Sequence, residues 1–404
     1  MAGFRYRAIN GRGRTTRGRA SGRDADAVER SLRLAGLYVL SMEEATREPW
    51  WKKEIHVGSG VSAQEFAVFC RQLATLIRAG VTLLESIHVM AGQTVSHPLR
   101  SALQRLTQEL AQGRQLSEAL KTAPKIFPPV FINMVHAGEI GGTLDDALDR
   151  AARYFEKAYY TREKIKSALL YPAVLGSVSI VVTVFLLVRI VPTFTAIFAS
   201  YHAQLPLPTR IILALSHLLE SYWWLFLAAL AGFAAADRYL SRRVRQYQRF
   251  KHRLVLRLPI FGQLAQKAVV ARMARTMSSL FASAVPVLEG LRIVSDVVDN
   301  SVVSDTLRES AASLQEGRSL AAPFVQNRVF PALVSQMIVI GEQSGNLDFM
   351  LEKIADFYEA EVEANADRLK SILEPVMIIV LAVVVGTIVL AVLLPSFSLI
   401  QQLH

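Results

Sequence analysis

The chain has 404 residues, 52% of them hydrophobic, with a formal charge of +11 and a mean hydropathy of +0.30. A chain both this apolar and this basic is expected to be an integral membrane protein with basic cytoplasmic surfaces, not a nucleic-acid binder. Its one cysteine, Cys70, excludes an internal disulfide and a cysteine-built zinc cluster.

Residues 1–45 read as a small ββαβ module. FRYRAI alternates, Asn10-Gly11 signals a tight turn and RGRAS resumes the strand pattern. DADAVERSLRLAG is a short helix stopped by Gly36, and LYVLSM is the last strand. The opening MAGFRYRAINGRGR is basic without an apolar core, so a cleaved signal peptide is not expected. Seven arginines fall in the first 23 residues, with no aromatic platform for stacking bases. Anionic lipid headgroups or an acidic partner surface fit them better than RNA, and a solvated basic face is the simplest reading. Residues 46–62 read as a linker, in which Trp50 and Trp51 are placed to dock on a membrane surface or a partner.

Residues 63–168 carry a helical period. In AQEFAVFCRQLATLIRAG the apolar Phe66, Phe69, Leu73, Leu76 and Ile77 recur at three- and four-residue steps, and Gly80 is a natural stop. LRSALQRLTQELAQG repeats the pattern, so a compact cytoplasmic helical bundle is expected. Within it, MVHAGEIGGTLDDAL (Met134–Leu148) reads as a helix-turn-helix joint. One helix runs through Gly138 and Glu139, Gly141 and Gly142 turn the chain, and Thr143 caps the next helix with Asp145 and Asp146 in its first turn. Glu139 is then at a helix C-terminus, where the macrodipole disfavours a carboxylate, so it needs a compensating partner such as the amides of the following turn. Asp145 and Asp149, four apart on one helical face, suit either a hard cation such as Ca²⁺ or a solvated acidic face.

Residues 172–192 (PAVLGSVSIVVTVFLLVRIVP) form a proline-bounded apolar run with Arg189 near its end, and 375–395 (PVMIIVLAVVVGTIVLAVLLP) a second without charge. Each 21-residue helix would cover ~31 Å, about one bilayer core. A weaker run at 222–240 follows an outer loop, 193–221, and carries Trp223 and Trp224 as an interfacial anchor. A basic connector, 241–265, leads to a second helical bundle, 266–372, and the tail is 396–404. Residues 238–257 hold eight Lys and Arg, 192–221 hold Arg210 alone, and the tail holds none. The positive-inside rule therefore puts the N-terminus and both bundles in the cytoplasm and the C-terminus outside.

The two halves repeat each other. MIVIGEQSGNLDFML (Met337–Leu351) matches the joint at seven of fifteen positions, so Gly341, Glu342 and Gly345 answer Gly138, Glu139 and Gly142. FCRQLATLIRAGVTLLESI matches MARTMSSLFASAVPVLEGL, Pro172 matches Pro375 and Pro192 matches Pro395. Both copies start inside and end outside, so the middle span returns the chain between them. No phosphate-cradling loop, HExxH or GxSxG occurs. A small transporter or channel would need polar residues deep in the spans, and a tethered enzyme a convergent acid–base cluster. Only Glu139, Glu342 and the nearby aspartates stand as candidates for the latter, in cap positions.

These residues resemble the polytopic inner-membrane platform family of type II secretion systems and type IV pili (general secretion pathway protein F, or PilC). The resemblance is carried by FCRQLATLIRAGVTLLESI, the paired GExxG phrases, YPAV and EPVM, LPLPTR and LRLPIFG, and it covers the whole chain. It implies a mainly α fold with two repeated six-helix cytoplasmic bundles and three transmembrane helices. It implies a non-enzymatic platform that couples a hexameric cytoplasmic ATPase to assembly of pilin or pseudopilin subunits. Other inner-membrane assembly proteins, membrane lipid and further copies of the chain are the remaining implied partners. It also implies Ca²⁺ in the first bundle at Gln93, Asp145 and Asp149; Val297 stands opposite Gln93 in the second copy. The run FYEAEVEANADRLKSILEP favours the pilus branch.

Overall fold

The structure is a computed structural model that describes residues 2–10, 15–22, Glu29, Arg33, 37–44, 60–193, 207–257 and 261–402. The chain divides into two compact units, residues 1–59 and 60–404. In the first, β1 (Ala2–Asn10) pairs antiparallel with both β2 (Thr15–Gly22) and β3 (Leu37–Glu44), giving the order β2-β1-β3. The pairing with β3 shifts register between Arg7 and Ala8. Of the helix expected at 24–36, Glu29 and Arg33 are described; both are helical and form an i,i+4 ion pair at 3.0 Å. Residues 46–59 of the expected linker, with Trp50 and Trp51, lie outside the described residues.

The second unit is helical. Its first copy comprises α1 (Ala63–Arg78), α2 (Leu83–Gln93), α3 (His97–Ala111), α4 (Leu116–Lys121), α5 (Pro129–Gly141) and α6 (Leu144–Phe185). A capping box starts α1: Ser62 Oγ accepts from the Glu65 amide at 3.1 Å, and Glu65 accepts from the Ser62 amide at 2.8 Å. Its buried face, Phe66, Phe69, Cys70 and Leu73, follows the helical period, and Phe66 packs edge-on against Phe131 and Phe155.

Next come α7 (Leu207–Arg243) and α8 (Arg245–Arg257). The second copy is α9 (Phe261–Ala282), α10 (Val287–Val297), α11 (Ser301–Gln315), α12 (Ala322–Gln326), α13 (Ala332–Ser344) and α14 (Leu347–Gln402). One continuous apolar core runs through both copies, and the buried Tyr154 hydroxyl meets Thr276 Oγ1 across them at 3.0 Å.

The boundary between bundle and span differs from expectation. Pro172 and Pro375 do not open the spans; they lie inside α6 and α14, which are the last helices of their bundles and run on through the apolar segments. Proline ends a helix when its missing N–H and its ring cannot be accommodated, and in apolar surroundings continuing the helix is the smaller loss. α6 passes into a π turn, Leu186–Ile190, and reaches Thr193. At ~1.5 Å per residue, the 42 residues of α6 extend ~63 Å and the 56 of α14 ~84 Å.

Leu144–Thr193 and Leu347–Ala391 are each long and apolar enough to cross a membrane. The expected middle span, 222–240, is not a separate element: α7 begins at Leu207, inside the expected outer loop, and bends by 52° between Thr209–Leu218 and Glu220–Ser241, which are long and apolar enough to cross only when taken together. The expected connector 241–265 is largely helical too, as α8. α8 and α9 taken together are also long and apolar enough to cross, over a 113° bend. However, α9 buries Val270, Met273, Met277 and Leu280 in the bundle core, which excludes it as a lipid-facing span.

Prolines explain how α7 docks. In the π turn the Val191 amide donates to Leu186 O, so the next carbonyl, Leu187, faces residue 192, a proline without an N–H. The Ala391 carbonyl likewise faces Pro395 four residues on. Both orphaned carbonyls accept hydroxyls from α7: Ser216 Oγ donates to Leu187 O at 2.6 Å and Thr209 Oγ1 to Ala391 O at 2.8 Å. Leu187, Val191, Ile212, Ile388 and Ala391 close over these bonds as a small buried cluster.

Thr209→Val is expected to cost the purified protein ~1–2 kcal/mol, seen as a lower melting temperature, because a carbonyl in apolar surroundings loses its donor. Pro395→Ala restores the helix N–H, so the same Thr209→Val change should cost much less in that background. Equal costs in the two backgrounds would refute the assignment.

Candidate functional site

The duplicated joint is built from the ends of three helices in each copy: α4, α5 and α6 in the first, and α12, α13 and α14 in the second. Gly142 and Gly345 cap α5 and α13 with positive φ of 68° and 71°, a left-handed turn that favours glycine. Gly141 is the last residue of α5, so the turn rests on one glycine, not two. Gly138 is needed for approach: a Cβ there would lie 2.5 Å from Ala147 Cβ, and one at Gly341 3.1 Å from Leu347 Cα. These two glycines let α5 close on α6, and α13 on α14. Thr143 makes no side-chain cap bond, contrary to expectation, while Asp145 and Asp146 do occupy the first turn of α6.

Glu139 and Glu342 do take amides, but not those of the following turn. Glu139 accepts from the Leu116 amide at 2.5 Å and the Ser117 amide at 3.0 Å. Glu342 accepts from the equivalent amides of Leu320 and Ala321 at 2.7 and 3.2 Å, and from Ser319 Oγ at 2.6 Å. These amides begin α4 and lead into α12, more than twenty residues earlier in sequence. Each carboxylate therefore ends one helix unfavourably and caps another favourably.

A second duplicated contact ties the first helix of each bundle to the last. Arg71 on α1 grips Glu156 on α6 with two bonds, 2.7 and 2.5 Å, and Arg275 on α9 grips Glu359 on α14 with two of 2.9 and 2.8 Å. Sequence reasoning missed these pairs, although all four residues are identical between the copies.

In the first copy Arg71 also reaches Asp149, which is 3% exposed. Asp149 Oδ1 accepts from Arg71 at 2.9 Å, and Oδ2 meets Arg78 at 2.9 Å as well as Arg153. Burial pushes this carboxyl upward, but the guanidinium groups of Arg78, Arg153 and Arg71 outweigh it and hold its pKa below the usual range. This arrangement does not fit Ca²⁺. Both oxygens of Asp149 are taken by cations, and Asp145 and Gln93 are exposed. Among the described residues, no three His, Cys, Asp or Glu side chains converge to hold a metal.

The two copies meet along α6 and α14. Tyr160 donates to Glu363 at 3.1 Å and Tyr171 to Glu374 at 3.3 Å, and both pairs are 203 residues apart. That spacing is the repeat offset, so the helices run parallel and in register, with equivalent positions facing. Lys164 reinforces Glu363 at 2.6 Å, and Lys157 reaches Glu359 at 3.5 Å. Between α6, α9 and α14 lies an open cleft of about 650 Å³ whose charges, Arg150, Lys157, Asp348 and Glu352 among them, are mixed in sign. It shows no convergent acid–base or nucleophile arrangement.

The fold and joints define a class: a duplicated helical membrane protein in which the last helix of each bundle is also its membrane helix. The family described as "Type II secretion system (T2SS), protein F" matches residues 69–192 and 273–395, and its N-terminal domain matches 1–43. A type IV pilus assembly protein PilC from Thermus thermophilus is 38% identical over 408 residues, covering 100% of this chain and 99% of the relative. The corresponding protein of Myxococcus xanthus is 33% identical over 98% of this chain and 95% of the relative. A type II secretion system protein F from Aeromonas hydrophila is 35% identical over 94% and 98%. The chain belongs to the type II secretion system protein F family.

Glu139→Gln and Glu342→Gln are each expected to cost ~1–3 kcal/mol, because an amide cannot serve two donors as a carboxylate does. Gly138→Ala should destabilise clearly and Gly141→Ala only slightly, since a Cβ at Gly141 meets only Thr143 Oγ1, at 3.4 Å. Thermal unfolding of the four variants checks both statements, and indistinguishable melting temperatures would refute them.

The Asp149 pKa is depressed in the fold, so its contribution is present above the unfolded value of ~3.9 and fades as pH falls below it. Melting at pH 7 and 5 should therefore show an unchanged gap between wild type and Asp149→Asn, and the gap should narrow below pH 4. Added Ca²⁺ should leave the wild-type melting temperature unchanged. A rise lost on Asp145→Ala with Asp149→Ala would reinstate the cation site.

Proposed function

We propose that this chain is the non-enzymatic inner-membrane platform of a type IV pilus or type II secretion machine. On this reading it couples a hexameric cytoplasmic ATPase to the assembly of pilin or pseudopilin subunits. One observation carries the reading: two helices run unbroken from bundle to membrane segment, side by side and in register. A linker would absorb motion, whereas a continuous helix transmits displacement or rotation of its bundle into the bilayer. The names of the relatives, pilus assembly and secretion system proteins, supply the machine.

In this reading the bundles and the N-terminus face the cytoplasm, the C-terminus is outside, and α7 is the return crossing. The excess of Lys and Arg over residues 238–257 supports that direction. A transporter or channel is less well supported. Apart from Arg189, the ionisable residues between 172–192 and 375–395 that it would need are absent from the sequence.

Purified chain in nanodiscs is expected to hydrolyse no ATP alone and to change the turnover of the hexameric ATPase proposed as its partner. Inserting a short Gly-Ser segment after Leu169 should leave that effect intact and abolish pilus or pseudopilus assembly in cells. Wild-type assembly with the insertion would refute transmission through α6. Absence of any effect on, or binding to, the ATPase would refute the coupling itself.

A further inference from the structure

α8 is a basic helix whose two long faces have different environments. One face is pinned. Arg249 pairs with Asp305 at 2.9 Å, and His252 Nδ1 accepts from the Ser301 amide at 3.0 Å, which holds α8 against the start of α11. Tyr247 donates to Asp237 at 3.0 Å, Lys251 pairs with Asp237 at 2.5 Å, and Gln248 donates to the Ser241 carbonyl. Lys251, one helical turn beyond Tyr247, reaches back to the same Asp237, fourteen residues earlier in the chain. α8 therefore folds back along the last turns of α7 instead of leaving them.

The other face is open. Phe250 is 65% exposed and Leu254 51%, one helical turn apart, with the exposed Arg253 between them. Arg238, Arg243 and Arg253 make no ion pair among the described residues. Arg238 and Tyr239, both exposed near the end of the apolar part of α7, are residue types that seat at a membrane–water interface. The fold-back returns Phe250 and Leu254 towards that level.

We infer that α8 is an interfacial helix that binds anionic phospholipid, with Phe250 and Leu254 inserted among the headgroups and Arg238, Arg243 and Arg253 on the phosphates. Two large exposed apolar side chains interleaved with arginines that make no ion pair among the described residues, on a helix tethered to Asp237 near the end of the apolar run of α7, match an anionic lipid surface in charge and in depth. Because Arg249 and His252 hold the opposite face to α11, lipid occupancy also fixes the second bundle relative to the bilayer. The inference rests on α7 crossing the membrane, as proposed above.

The test uses the full chain in nanodiscs, either of phosphatidylcholine alone or with phosphatidylglycerol added. Leu254→Cys carries an environment-sensitive fluorophore; the native Cys70 is buried and does not compete for it. With phosphatidylglycerol the emission should shift to the blue and be quenched by headgroup-proximal nitroxide lipids. Arg238→Glu with Arg253→Glu should largely remove both effects. A parallel probe at Phe233, in the apolar run of α7, must be quenched in both lipids, and failure there refutes the crossing rather than the lipid site. With Phe233 quenched, a Leu254 probe equally solvent-exposed in the two lipids overturns the inference and leaves the face to a protein partner. A probe equally buried in both overturns the requirement for anionic lipid. If the Leu254 variant fails to fold, the same probe at Phe250 gives the same readout.

Discussion

Away from water, a backbone amide or carbonyl that loses its helical partner must find another, or the fold bears the full cost of its desolvation. Even partly shielded from water, such groups are answered at three kinds of place in this chain, and at each the side chain comes from another helix. Glu139 and Glu342 serve the amides that begin α4 and precede α12. Ser216 and Thr209 serve carbonyls orphaned near Pro192 and Pro395. His252 serves the first amide of α11. Each contact is local in chemistry and long-range in sequence, so it fixes the position of a whole element with one or two hydrogen bonds.

Between these fixed points the two long helices set the mechanics. α6 and α14 each belong to a bundle at one end and to the apolar segment at the other, and they lie in register through Tyr160–Glu363 and Tyr171–Glu374. A movement imposed on one bundle has no flexible joint in which to dissipate before the membrane. α7 closes the far end by bonding to both, so the helices are tied at the bundles and again near Leu187 and Ala391. This arrangement suits a part that relays motion better than one that encloses a substrate.

Duplication kept some contacts and altered others. The Arg71–Glu156 and Arg275–Glu359 clamps have the same two-bond geometry in both copies. Around them the charges have diverged: Asp149 lies among three arginines in the first copy, whereas Arg275 takes Asp356 as its extra partner in the second. The first cluster is thus rich in cations about one carboxylate, an electrostatic setting opposed to a bound cation.

The sequence by itself determined the duplication, the helical class, the long apolar segments and the residues of the joint. Each rests on periodicity, on repetition at a constant offset, or on a residue with an intrinsic backbone preference such as Gly142. It also showed that Glu139 needed a partner, because the conflict with the helix end is local. Only the tertiary structure decided which amides answer it, because a carboxylate at the end of α5 reaches whatever folding brings near, here α4. The continuity of α6 through Pro172 was likewise hidden, since proline is a helix breaker by local rules and is tolerated inside α6 where continuing the helix is the smaller loss. The fate of Asp149 was decided by Arg71 and Arg78, more than seventy residues earlier, and no reading of one helical face reveals what another helix will set against it.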